Sequence, residues 1–270
     1  GISFIDSNLS NADLTGADLS HVSLSGIDLS NTKLIQTNLS NSILSRVNLS
    51  NADLTGADLS RIVLYDTDLT QVVLTGANLS GTDLYGIDLA GMDLTGTIFS
   101  RADLSYSNLT GTNLSDATLS RVNLSNTDLT GANLSNANLT GANLSNINIS
   151  GADFSGSDLT GVKLTGSDFT DLNLSDVDLS FVILKGLDFT NSNLSGADLT
   201  GTDLTKAILI NTNLTDANLT SSVLVYADFS NANLTRADLS NTILVGADLT
   251  NADLTDANLT GSVLTDAVLN

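Results

Sequence analysis

The chain has 270 residues with no Pro, Cys or Trp, and 30 acidic side chains, all Asp, against 9 Lys and Arg give a net charge of −21. That balance argues against direct binding to nucleic acid, which needs clustered cations to displace counterions, and against an anionic membrane surface. The absence of Cys excludes disulfides and thiolate metal sites, and no apolar run approaches the roughly 18 residues of a membrane span, so no membrane insertion is expected.

A five-residue period begins at the N-terminal end and runs on without insertion or deletion. It is legible from Ile2-Ser3-Phe4, and from Leu9, Leu14 and Leu19 it continues to Leu269. The central position is Leu except at Phe4, Phe99, Phe154, Phe169, Phe189, Phe229 and Ile149. Two residues earlier, all but eight repeats carry Ala, Ser, Thr or Val, so a second, smaller side chain recurs in step and both are expected to point inward. Asp or Asn precedes the centre and Ser or Thr follows it, as in Asp13-Leu14-Thr15; on an extended segment these neighbours face solvent. Every Gly occupies the remaining position, shared with Asn, Asp and a few Arg, residue types that suit a turn in each repeat. A short extended piece followed by a corner, repeated, makes the chain coil.

The motif in Ala132-Asn133-Leu134-Ser135-Asn136 resembles that of the pentapeptide-repeat family over the whole chain. The resemblance implies an all-β fold, a right-handed quadrilateral β-helix (a β-solenoid) with four repeats and hence 20 residues per coil. Residues 1–270 then form a single uninterrupted solenoid of about 13.5 coils, a rod roughly 65 Å long at the spacing of about 4.8 Å between strands. Each Leu stacks on the Leu of neighbouring coils, worth roughly 1.5–3 kcal/mol before ordering entropy, and no coil folds alone.

With 20 residues per coil, departures from the motif line up as surface columns. Along the face whose repeats begin one past a multiple of twenty, the outward column includes Ile43, Val63, Lys163, Ile183, Val223, Ile243 and Val263, and the next adds Tyr65, Tyr85, Val225 and Val245. Ile183, Val223, Val225, Ile243, Val245 and Val263 form the candidate protein interface, because exposed apolar clusters mark contacts. A corner column carries His21, Arg61, Arg101, Arg121 and Phe181; the arginines are expected to neutralise neighbouring Asp columns, a grip on an acidic partner being the alternative. Asp158, Asp178 and Asp198 are expected to stack on one face, and Asp168 and Asp188 on another. A convex array lacks the six to eight or so converging oxygens of a calcium site, so neither metal nor cofactor is expected. The Asn-Leu-Ser and Asn-Leu-Thr triplets match a glycosylation pattern, but the repeat generates them automatically.

No catalytic residue is nominated. His21 is the one histidine, on a corner, and smooth walls offer no cleft in which a carboxylate is desolvated. The expected function is a non-catalytic structural protein that self-assembles with its own copies, end to end through uncapped coils into a filament or laterally. The alternative is an acidic DNA mimic: some members of the family it resembles occupy the DNA-binding surface of a type II topoisomerase such as gyrase and protect it from quinolones. The first reading goes with an extracellular or cell-surface setting, the second with the cytoplasm and a basic DNA-binding protein surface as partner.

Overall fold

The five-residue pattern closes into coils of 20 residues. The computed structural model describes residues 7–269, so Phe4 and the opening Ile2-Ser3-Phe4 lie outside the described residues. One repeat shows the local physics. In Leu129-Thr130-Gly131-Ala132 the Ala132 N–H donates to the Leu129 carbonyl at 2.9 Å, and Gly131 sits at φ 64°, which makes the corner a type II turn. The same left-handed conformation recurs at corner after corner, from 53° at Gln36 to 76° at Gly166. Only Gly pays no steric penalty there, and Asn and Asp tolerate it, which accounts for the composition of that position.

The Asp or Asn before each centre does more than face water. Its Oδ1 accepts the N–H two residues on, as Asp128 does from Thr130 at 3.0 Å, and often the hydroxyl as well, at 2.6 Å. This side-chain turn closes on the same corner as the backbone turn. Glu is too long for it by one methylene, which gives a reason for an acidic complement made of Asp alone.

Between coils, residue i is bridged in parallel to residue i+20, as Asn113 to Asn133 and Asn133 to Asp153. The Leu134 N–H donates to Asp153 O at 2.7 Å and the Asn133 N–H to Thr112 O at 2.9 Å, so the coils are joined in both directions. The architecture is the right-handed β-helix implied by the sequence motif. Its four sides are designated here by coil 21–40: first face 21–25, second 26–30, third 31–35 and fourth 36–40. Leu and Phe centres fill the interior, with Phe169 and Phe189 tilted against each other at 5.4 Å between ring centroids. Inward Ser and Thr are satisfied by backbone: Thr37 donates to Leu14 O at 2.8 Å and Ser42 to Leu19 O at 2.6 Å. No buried side-chain polar atom among the described residues lacks a partner.

Two seams loosen this stack. Between coils 61–80 and 81–100, the bridges that would join Val63 to Asp83, Asp68 to Asp88 and Val73 to Asp93 are absent among the described residues. Between coils 161–180 and 181–200 the same is true of Lys163 with Ile183 and of Asp168 with Asp188. Asp168 and Asp188, expected to stack directly, are therefore parted by a seam. Both seams lie where the small inward position holds large side chains: Ile62, Val72, Ile87 and Met92 at the first, Val162, Leu172, Val182 and Leu187 at the second. Overpacking a core costs on the order of 1–3 kcal/mol, and a stack of coils relieves it by parting. On the second face each break starts one coil earlier, since among the described residues Asn48 is not bridged to Asp68 nor Asn148 to Asp168, although over Ile27 and Val47 the Asn48 N–H still reaches Ile27 O at 3.1 Å. The fourth face alone carries an unbroken column of bridges among the described residues, from Asp18 to Asn258.

Candidate functional site

Five of the six expected interface residues come together. Val223, Ile243 and Val263 are bridged in succession on the first face, with Val225 and Val245 beside them. Ile243 and Val263 are exposed and Val223, Val225 and Val245 half-buried. Tyr226, exposed at the adjoining corner, lays its ring across Gly246 and extends the patch. Ile183 does not join them, because Asp203 intervenes between it and Val223. It stands 74 % exposed at the second seam, where Lys163, Lys185 and Leu187 line a cleft of about 390 Å³ with it. The five-residue patch spans three coils, about 10 Å of rod, well short of the roughly 800 Å² per partner of a standard interface.

The seams escaped the sequence reading, although a signal was present. Of the seven described repeats with an oversized inward residue, six fall at or next to the missing bridges: Ile62, Ile87, Met92, Ile147, Leu172 and Leu187. The first seam opens a cleft of about 610 Å³ between Val63, Tyr65, Asp83 and Tyr85.

The arginine column differs from expectation. The ion pairs among the described residues are Lys33 with Asp13, Arg46 with Asp66, and Arg236 with Asp216 at 2.6 Å; none involves Arg61, Arg101 or Arg121. These three line a shallow groove of about 850 Å³ with Ser60, Ser80, Ser100, Ser120 and Thr140, bounded by Asn78 and Asn138. The reason they do not neutralise an Asp column lies beside them. Beside Arg101 and Arg121 the fourth-face column carries Ile98 and Thr118 instead of Asp, and Asp58 beside Arg61 and Asp83 and Asp103 on the first face form no ion pair with the three among the described residues.

The acidic columns are organised by the turn chemistry. Asp158, Asp178 and Asp198 stack as expected, and Asp238 follows after Asn218. The Ser240 hydroxyl and N–H hold the Asp238 carboxyl below the usual range, with Asn258 adding a bond. Where Asn and Asp alternate, the amide bridges coils, as Asn38 Nδ2 to Asp18 Oδ1 at 3.1 Å. Among the described residues no three His, Cys, Asp or Glu converge as for a metal ion, and no helix is long and apolar enough to cross a membrane.

A family model for pentapeptide repeats matches this chain repeatedly, from residues 1–31 through 62–101 and 132–171 to 232–270. Among solved structures, the chain is similar to HetL, a pentapeptide repeat protein involved in heterocyst differentiation regulation from the cyanobacterium Nostoc sp. strain PCC 7120. Identity is 30%, over 96% of this chain and 89% of that one, with a TM-score of 0.31. It is similar also to QnrB1, a plasmid-mediated fluoroquinolone resistance protein, at 19% identity over 92% and 91%, TM-score 0.29. A pentapeptide repeat protein of the Arabidopsis thaliana thylakoid lumen matches at 26% over 58% and 72%, TM-score 0.21. Comparison with curated proteins found no match.

Proposed function

This chain belongs to the pentapeptide-repeat family, and on that premise we propose that it is a non-catalytic structural rod, one continuous solenoid over residues 1–270, that assembles with copies of itself. The observation that carries this reading is the coil-to-coil ladder. Each coil pairs with the next through parallel backbone bonds and a Leu stack, so a coil edge that the full protein leaves uncovered is a template for another copy. A contact of that head-to-tail kind does not close on itself and grows into filaments. The apolar patch around Val223 and Ile243 supplies a second, lateral contact. Negative-stain electron microscopy over a range of concentrations tests the reading: rods of constant width that lengthen with concentration support it, and discrete rods of one length overturn it.

A second reading has its own observation, the net charge of −21 arranged in stacked Asp columns such as Asp158, Asp178 and Asp198. On that reading the rod is an acidic mimic of DNA on a type II topoisomerase, as a protein of the quinolone-resistance type. A gyrase supercoiling assay with a fluoroquinolone decides it: protection supports the mimic, and unchanged inhibition removes it.

A further inference from the structure

The three arginines form a spaced pattern, and so do the aspartates of the fourth face. Along the corner column, Arg121 and Arg101 are one coil apart and Arg101 and Arg61 two, with Gly81 between. Along the fourth-face column, Asp178 and Asp198 are one coil apart and Asp198 and Asp238 two, with Asn218 between. Set antiparallel, the two patterns coincide at the common step of about 4.8 Å per coil. No parallel shift of the columns places all three arginines on Asp, and no other antiparallel shift does.

We propose that two copies of this chain pair side by side and antiparallel through their fourth faces, with Arg61, Arg101 and Arg121 of each copy against Asp238, Asp198 and Asp178 of the other. The inference rests on the reading of the chain as self-assembling, but it uses a different surface from the coil edges.

Four observations meet in this register. The arginines are exposed and, among the described residues, unpaired, and they share their groove with Asn78 and Asn138 of the fourth face. In an antiparallel two-fold pair each column faces its own counterpart with the coil order reversed, so side chains leaning onto the fourth face meet the other copy's fourth face. Asp178, Asp198 and Asp238 spend Oδ1 on the turns at Ser180, Thr200 and Ser240, and their Oδ2 atoms have no hydrogen bond among the described residues. Each is open to a guanidinium. The same shift brings Phe181, 73 % exposed with its ring over Gly201, against Thr118 and Ile98, the coils where the fourth-face column carries neither Asp nor Asn. Finally, the fourth face is the one whose ladder crosses both seams intact, so its columns keep register over the full length of the contact.

Charge reversal tests the pairing, with sedimentation equilibrium at about 0.1 M salt, where the Debye length is about 10 Å. R61D/R101D/R121D sets Asp against Asp in both halves of the pair, and D178R/D198R/D238R sets Arg against Arg; each is expected to weaken self-pairing by about a hundred-fold or more. Mixing the two restores all the opposite-charge contacts, so a one-to-one heteropair is expected where neither variant pairs alone. The second variant gives up three turn acceptors, so D178N/D198N/D238N, which keeps them, serves as the folded control and is expected to weaken pairing by at least about ten-fold. Wild-type protein that stays single at every concentration, as when the groove takes a small anion or an acidic partner instead, overturns the proposal. So does a folded arginine variant that pairs like wild type. Negative-stain images separate this from end-to-end growth, since lateral pairing sets rod width and coil-edge stacking sets rod length.

Discussion

At the scale of single residues, Asp in this protein is a turn-closing group before it is a surface charge. The hydroxyl and N–H of Thr15 hold the Asp13 carboxyl below its usual range, those of Thr250 do the same for Asp248, and those of Thr255 for Asp253. A carboxylate depressed in the folded state contributes stability that is present above its unfolded value and is lost as pH falls through the folded one. The melting temperature is therefore expected to hold level from pH 7 to about 5 and to drop below about 4. If repulsion among the 30 Asp dominated instead, acid would raise it. A second expectation isolates the geometry. Asp128→Asn keeps the Oδ1 acceptor for Thr130 and is close to neutral in urea unfolding, whereas Asp128→Glu forfeits the turn bond and costs about 1 kcal/mol. The period showed where these residues stand, but only the described turn shows that their side chains fold back, because that depends on backbone angles at the corner.

At the scale of the coil, stability follows how well the four inward pairs fill the square. Phe229 is fully buried in a regular stretch of the stack, so Phe229→Ala is expected to cost about 3–5 kcal/mol. Met92 sits at an overfilled seam, and Met92→Ala is expected to cost less than half of that, since the cavity relieves crowding and the coils can close. Hydrogen exchange reads the same difference without mutation. Among the described residues, the amides of Leu64, Leu69 and Leu74 have no partners in the next coil of the kind that those of Leu104, Leu109 and Leu114 have, and are expected to exchange faster. Equal protection would contradict the link between oversized inward residues and parted coils. The link is visible in the sequence once one knows which coils touch, as Val72 and Met92 are otherwise two large residues far apart in the chain.

At the scale of the whole molecule, the rod offers columns, and the proposed contacts depend on which columns stay straight. Ile243→Asp places a charge at the centre of the apolar patch and is expected to reduce a lateral contact there while the far-ultraviolet dichroism stays unchanged; an unaltered oligomer size rules that contact out. Ile183, grouped with the patch by residue type, lies apart from it, because Asp203 occupies the coil between. The arginines, expected to offset nearby Asp, stand unpaired among the described residues, Arg101 and Arg121 beside Ile98 and Thr118 of the fourth-face column. What the sequence determined by itself is the alternation: which residue of each five points inward, which turns the corner, and that the chain must coil. These are local, set by side-chain size and by the residues that tolerate positive φ. Which residues become neighbours was decided only by the tertiary structure, in the 20-residue closure that places Asp153 on Asn133 and in the seams that break three faces and spare the fourth. A period of five does not encode the number of sides, because the bonds that choose it join residues a full coil apart.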